Sequence, residues 1–304
     1  MLTDSGPGRR MAAVAPVLFV LLWSTGFIGA KYGLPFAEPA TFLALRFLLV
    51  AVLLLPIVLL TGSPWPGSFT SALHIIVVGL LVHGIYLGGI FAAIDKGVSA
   101  GDTALIVGLQ PAVTAILIGP ILGETVHGRQ WMGFVLGTVG VVLVISPYLG
   151  GVHGNAGAIV LCVVGMLAMS VGTLYQKRFC ANMDLRSGSF LQFTAAGLLM
   201  LLLALVFETR VIEWSGDFLF AFAWLVLALS LGAVTILWFL IRHGAAVRVA
   251  SLFFLVPPVT ALIAWPLFGE MLSWQALVGM GLVVGGVLLV GQGSGSSFSP
   301  DRGS

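Results

Sequence analysis

Ten apolar runs of about 20 residues each, divided by short polar breaks, take up almost the whole of this chain. They fall at residues 13–33, 40–60, 72–93, 101–122, 130–147, 156–177, 188–207, 219–241, 248–268 and 274–291. A helix of that length crosses a hydrocarbon layer of about 30 Å with its backbone polar groups satisfied internally. The breaks are built from turn formers and charges: Leu34-Pro35, the Gly62 to Gly67 turn, Asp95-Lys96-Gly97, Gly123-Glu124, Ser146-Pro147, Asp184 to Ser187, Glu208 to Asp217, Arg242-His243-Gly244 and Gly269-Glu270. With 59% hydrophobic residues, 8% charged residues and a mean hydropathy of +1.14, the chain has too little charge to cover a water-soluble globule. The pattern predicts an all-α integral membrane protein of ten transmembrane helices.

The second constraint is an internal duplication. Residues 109–145 and 255–291 align at a constant offset of 146, with 14 of 37 positions identical. The matches include Pro111/Pro257, Thr114/Thr260, Pro120/Pro266, Gly123/Gly269, Glu124/Glu270, Gly133/Gly279 and Gly140/Gly286. Apolar composition alone would match Leu and Val, not the residues that bend helices or let them approach. The same offset maps Trp23-Ser24 onto Met169-Ser170 and Lys31 onto Lys177, so each half holds five helices.

Charge orients the array. A cytoplasmic amino terminus puts Arg9, Arg10, Arg129, Lys177, Arg178, Arg186, Arg242, Arg248 and Arg302 inside and Lys31, Lys96 and Arg210 outside, nine against three. Arg46 is left out, because about six residues into the second run it is within snorkelling reach of the outer interface. Five is odd, so the second copy starts on the opposite side. The expected architecture is two inverted five-helix repeats, 13–147 and 156–291, flanked by a cytoplasmic segment 1–12 and a disordered cytoplasmic tail 292–304 rich in Gly and Ser. The first run is too long for a signal peptide and lacks a cleavage site, so it is read as a retained helix. A net charge of +2, dispersed at helix ends, points to no nucleic-acid partner.

Trp23-Ser24-Thr25-Gly26, Leu45-Arg46-Phe47 and the Gly-Glu elements at 123–124 and 269–270 resemble the EamA family of the drug/metabolite transporter superfamily, over about residues 12–291. The resemblance implies a bacterial inner-membrane exporter or permease of small metabolites, with a cavity between the halves. One departure is that Arg46 corresponds to Gln192, so a charge role at that position would be one-sided.

The polar groups inside the runs are the candidates for contact with substrate, because burying them in lipid is costly without a cavity or partner. His83 lies mid-run with Tyr86 three residues on. It is either a packed neutral ring bonded to a backbone carbonyl or a substrate contact, with a proton as candidate coupling ion. No Asp or Glu lies mid-run, which argues against a carboxylate proton relay. Gln110 and Thr114 flank Pro111, and Thr260 follows Pro257-Pro258; each proline frees a backbone carbonyl that a substrate could use. Trp23 and Trp238 offer aromatic walls, packing being their alternative role. The expected substrate residues are therefore Trp23, His83, Tyr86, Gln110, Thr114, Trp238 and Thr260, with Pro111, Pro257, Glu124 and Glu270 at helix breaks or gates. The two glutamates sit at opposite faces, about 30 Å apart, and so read as helix caps, with gating as the other option. Lys31 and Lys177 read as snorkelling residues. Gly133, Gly137 and Gly140, with Gly281, Gly285 and Gly286, form small faces that build the fold or a homodimer.

Enzyme classes find no support: the chain has no nucleophile with a base, no His-Glu-x-x-His and no close carboxylate pair. Cys162 and Cys180 have no metal-ligand spacing and read as packing residues, and no cofactor is expected. The expected function is a secondary transporter exporting an amino acid, a derivative or an amphipathic compound. The alternative is a receptor or scaffold, which would not require inverted copies and would usually carry a larger soluble loop.

Overall fold

The computed structural model describes residues 7–98, 103, 106–145, 156–268 and 273–292. Outside them lie residues 1–6, 99–102 and 104–105, the Ser146-Pro147 break and the linker after it, Gly269-Glu270 with the two residues that follow, and the tail beyond Gln292. The gating expectation for Glu270 and the disorder expectation for the tail therefore fall outside the described residues.

Among the described residues the chain is helical, with one isolated antiparallel bridge between Ala37 and Ile212. In chain order the apolar helices are α1 (Val14–Phe36), α2 (Pro39–Leu60), α3 (Phe69–Asp95), α4 (Ile106–Leu122), α5 (Gly128–Val144), α6 (Ala156–Phe179), α7 (Leu185–Phe207), α8 (Gly216–His243), α9 (Ala246–Ile263) and α10 (Trp274–Gln292). Eight are long and apolar enough to cross a bilayer; α4 and α5 are shorter, and α4 begins directly after residues outside the described set. Local chemistry sets several ends. Ser68, Ser215 and Ser273 accept from the backbone N–H groups of Ser71, Phe218 and Ala276, each at 3.1 Å, and Asp184 accepts from Arg186 and Ser187. Gly123 ends α4 with φ of 71°, a left-handed turn that favours glycine.

The packing repeats what the duplication foretold. The two most extensive pairs, α2 with α7 and α5 with α10, join corresponding helices, while α1 packs on α8 and α9 as α6 packs on α3 and α4. Glycine makes the α5–α10 crossing possible. A Cβ on Gly133 would lie 2.7 Å from the Gly286 oxygen, and one on Gly140 would lie 2.7 Å from the Gly279 oxygen. Exchange of the halves by 146 residues converts the first contact into the second, and the pairing runs antiparallel. This glycine face is therefore used within the chain. Gly281 is not part of it, since a Cβ there would meet nothing within 4 Å.

Both α3 and α8 widen into π-helix, at Leu80–Ile85 and Leu225–Ala233, again at corresponding positions. Such segments release backbone groups from the ordinary ladder and are frequent at functional sites. One face of the bundle is tied by crossed carboxylates. Glu208 accepts from the Ala40 and Thr41 amides at 2.7 and 2.6 Å, at the start of α2. Glu38 accepts from the Thr209 amide and hydroxyl at 2.7 and 2.6 Å. The Thr209 hydroxyl holds the Glu38 carboxyl below its ordinary value of 4.5, so this tie is complete above that value and is lost as pH falls through the lowered one.

Candidate functional site

The π-segments aim their side chains into a cavity bounded by α1, α2, α3, α7 and α8. Trp23, Arg46, His83, Tyr86, Phe193 and Ser230 give it most of its polar and aromatic lining, and Ile90, Phe91, Ile94, Leu225 and Leu229 are among the apolar residues beside them. The volume it leaves open to a water-sized sphere is about 50 Å³, well below the about 610 Å³ of a cleft between α2, α3, α6 and α7 that Glu38, Lys96 and Glu208 help to line. His83 and Leu229, which correspond under the 146-residue shift, both line it. A smaller chamber of about 20 Å³ lies toward the opposite face, lined among others by Gln110, Thr114, Thr173, Lys177, Val249 and Phe253.

An aromatic partition stands between the two. Trp23 belongs to the first lining and Phe253 to the second, and their rings meet edge to face at 5.6 Å. Phe19 closes the trio, 5.1 Å from Trp23 and 5.2 Å from Phe253. Edge-to-face rings at such distances attract beyond their area burial.

Arg46 lies deeper than its place in the sequence suggests. Far from snorkelling, it is 4% exposed and its Nε donates to Ser230 Oγ at 2.9 Å across the cavity. Its depth follows from tertiary packing, since the π-segment of α8 brings Ser230 to it. The available signal was an arginine inside an apolar run with no acid nearby in sequence. Its counterpart Gln192 does not line the cavity; Gln192 Nε2 donates to Gln176 Oε1 at 3.1 Å.

His83 is 1% exposed, stacks on Phe193 at 4.3 Å, and leaves Nε2 without a hydrogen-bond partner. Among the described residues no backbone carbonyl is bonded to it. Trp238, also 1% exposed, sits 6.3 Å from the His83 ring as packing behind it and does not line the cavity. Thr260 lines neither chamber, and its hydroxyl donates to the Ser24 carbonyl at 3.3 Å. The expected wall is thus divided: Trp23, His83 and Tyr86 in the large cavity, Gln110 and Thr114 in the small one, Trp238 and Thr260 in neither.

The helix breaks at Pro111 and Pro257 are tied to the other half. Ser24 reaches the Val256 oxygen at 3.3 Å, and Ser170 reaches the Gln110 oxygen at a long 3.5 Å. These contacts correspond under the 146-residue shift. The carbonyls just before the two prolines therefore serve packing between halves. Glu124, expected as a cap, instead pairs with Lys177 at 3.6 Å, and Lys177 also donates to the Gly244 oxygen at 2.6 Å. Both side chains of the pair are partly exposed, so Glu124→Gln is expected to cost only about 0–1 kcal/mol. A thermal melt should shift by a few degrees with transport retained; abolished turnover in a folded, binding-competent Glu124→Gln protein would make it a gating carboxylate. Among the described residues no three His, Cys, Asp or Glu side chains form a metal-holding cluster.

The model of the EamA-like transporter family matches this chain twice, at residues 10–146 and 156–292, each end displaced by 146. The chain belongs to the EamA-like transporter family. Among similar proteins, the uncharacterized inner membrane transporter YedA of Escherichia coli K12 is 25% identical over 93% of this chain and 92% of its own. The uncharacterized transporter YvbV of Bacillus subtilis is 26% identical with the same coverage. A probable amino-acid metabolite efflux pump of Escherichia coli K12 is 27% identical over 57% of this chain and 56% of its own. A crystal structure with 18% identity superposes with a TM-score of 0.75, covering 91% of this chain and 96% of the other, which is a likeness of fold. The chain is thus a multi-pass membrane transporter of EamA type.

Proposed function

We propose that this EamA-family protein is a secondary transporter of the bacterial inner membrane that exports a small organic metabolite by alternating access between two inverted five-helix repeats, residues 13–147 and 156–291. The observation that carries this reading is the partition: Trp23 of the first repeat meets Phe253 of the second at 5.6 Å, with a chamber on either side. A rocking of one repeat against the other would part these rings and transfer the cavity to the opposite face. The reciprocal contacts Gly133–Gly286 and Gly140–Gly279 support the inverted relation. The cargo class is an amino acid, a derivative or an amphipathic compound, in keeping with the relative named as a probable amino-acid metabolite efflux pump. His83, the one histidine in the cavity lining, is the proposed proton-responsive group. The nine-to-three distribution of Lys and Arg supports a cytoplasmic placement of both termini and the Lys177 face.

Counterflow of a labelled metabolite panel in proteoliposomes tests the activity: saturable exchange of at least one compound supports it, and none across the panel contradicts it. Reporter fusions after residues 150 and 292 should score outside and inside respectively. Equal sidedness would overturn the inverted arrangement.

A further inference from the structure

We infer that the large cavity is built for an amphipathic monocarboxylate without a free ammonium group, its carboxylate paired with Arg46; this rests on the cavity being the transport site proposed above. Among the described residues, the bond from Nε to Ser230 is the only hydrogen bond the Arg46 guanidinium makes. The two ion pairs there are Lys177 with Glu124 and Arg186 with Asp184, and neither includes Arg46. A guanidinium 4% exposed between apolar helices, without a counter-anion, is costly, and a cavity beside it offers the means of relief. Its planar fork matches a carboxylate in a two-bond arrangement, and Ser230 holds the fork by its third nitrogen.

His83 is the second, independent sign of a ligand. It is 1% exposed, lines the same cavity, and its Nε2 has no partner. In the tautomer protonated at that nitrogen it donates to an acceptor in the cavity, as a carboxylate oxygen would be.

The rest of the lining defines what the carboxylate is attached to. It contains no Asp or Glu, so an ammonium group would find no opposite charge and would share the space with Arg46. A phosphate would bring close to two negative charges to one arginine. Ile90, Phe91, Ile94, Leu225 and Leu229 present apolar surface to the remainder of the cargo. N-acylated apolar amino acids and aryl-alkanoic acids have this chemistry, and zwitterionic amino acids do not.

The test uses the purified full-length chain in detergent with radiolabelled N-acetylphenylalanine as the probe. Its neutral amide and the cationic phenylalaninamide serve as competitors. The acid should bind about tenfold or more tightly than its amide, and phenylalaninamide should not compete. Arg46→Gln should bring acid and amide within about twofold of each other, while Arg46→Lys keeps a reduced preference for the acid. Equal binding of acid and amide by the wild-type protein, tighter binding of the amine, no binding of the acid, or a preference that survives in folded Arg46→Gln protein would each overturn the inference. The wild-type comparison decides even where a variant does not fold. In proteoliposomes, saturable counterflow of neutral or cationic compounds alone would leave the transporter reading standing and remove the carboxylate. Acid binding without flux of any compound would do the reverse.

Discussion

Phe253→Ala is expected to turn a coupled transporter into a leak. The Phe253 ring lines the small chamber and meets Trp23, which lines the large one, so its removal joins the two spaces. Labelled cargo preloaded into proteoliposomes should escape about tenfold faster or more, and concentrative transport should fall to near background. Equilibrium binding in the large cavity should change little, since Phe253 is not part of its lining. Truncating a buried aromatic costs about 3–5 kcal/mol, so Phe253→Leu, which retains some of the volume, is the companion variant. An Ala variant that folds, binds and still concentrates cargo would show that the ring does not seal the path.

Gly140→Leu is expected to cost the folded state most. Its Cβ alone would stand 2.7 Å from the Gly279 oxygen and 2.8 Å from the Val283 amide nitrogen, and backbone cannot step aside as a flexible side chain can. The two helices would have to separate along their length, at about 3 kcal/mol or more. Gly281→Leu on the facing helix is the control, because nothing lies within 4 Å of that Cβ. Fluorescence-detected size exclusion should show the monodisperse peak lost in Gly140→Leu and kept in Gly281→Leu. Equal behaviour of the two would contradict the crossing described above.

The helices and the duplication were legible because they are written in periodic, local features: apolar runs, Pro and Gly at matched positions, and an offset of 146 that the family model repeats. Trp23, His83 and Tyr86 were found in the cavity because a polar or amphipathic side chain inside an apolar run must meet something other than lipid. Which face a side chain takes was not legible. Trp238 and Thr260 have the same chemistry as cavity residues, yet one packs behind His83 and the other bonds to the Ser24 carbonyl. Position along the helix misled at Arg46, where nearness to a helix end suggested snorkelling and the π-segment of α8 instead supplied Ser230. The prolines suggested carbonyls left open one turn earlier; what the packing adds is that Ser24 and Ser170, distant in sequence, reach the oxygens of Val256 and Gln110 just before each proline. The glycine faces left open whether they met within the chain or between chains; the packing of α5 on α10 brings Gly133, Gly140, Gly279 and Gly286 together within it.

The central claim, a substrate cavity closed by the Trp23–Phe253 contact, is tested most directly by thiol accessibility in a background without Cys162 and Cys180. Cysteine placed at Leu229 in the large cavity should react with a small hydrophilic reagent added from the outer side and be shielded by transported cargo. Cysteine placed at Gln110 in the small chamber should react from that side only when Phe253 is also replaced by alanine. Failure of the Leu229 cysteine to react in folded protein, or equal outer reactivity at both positions with Phe253 intact, would contradict it.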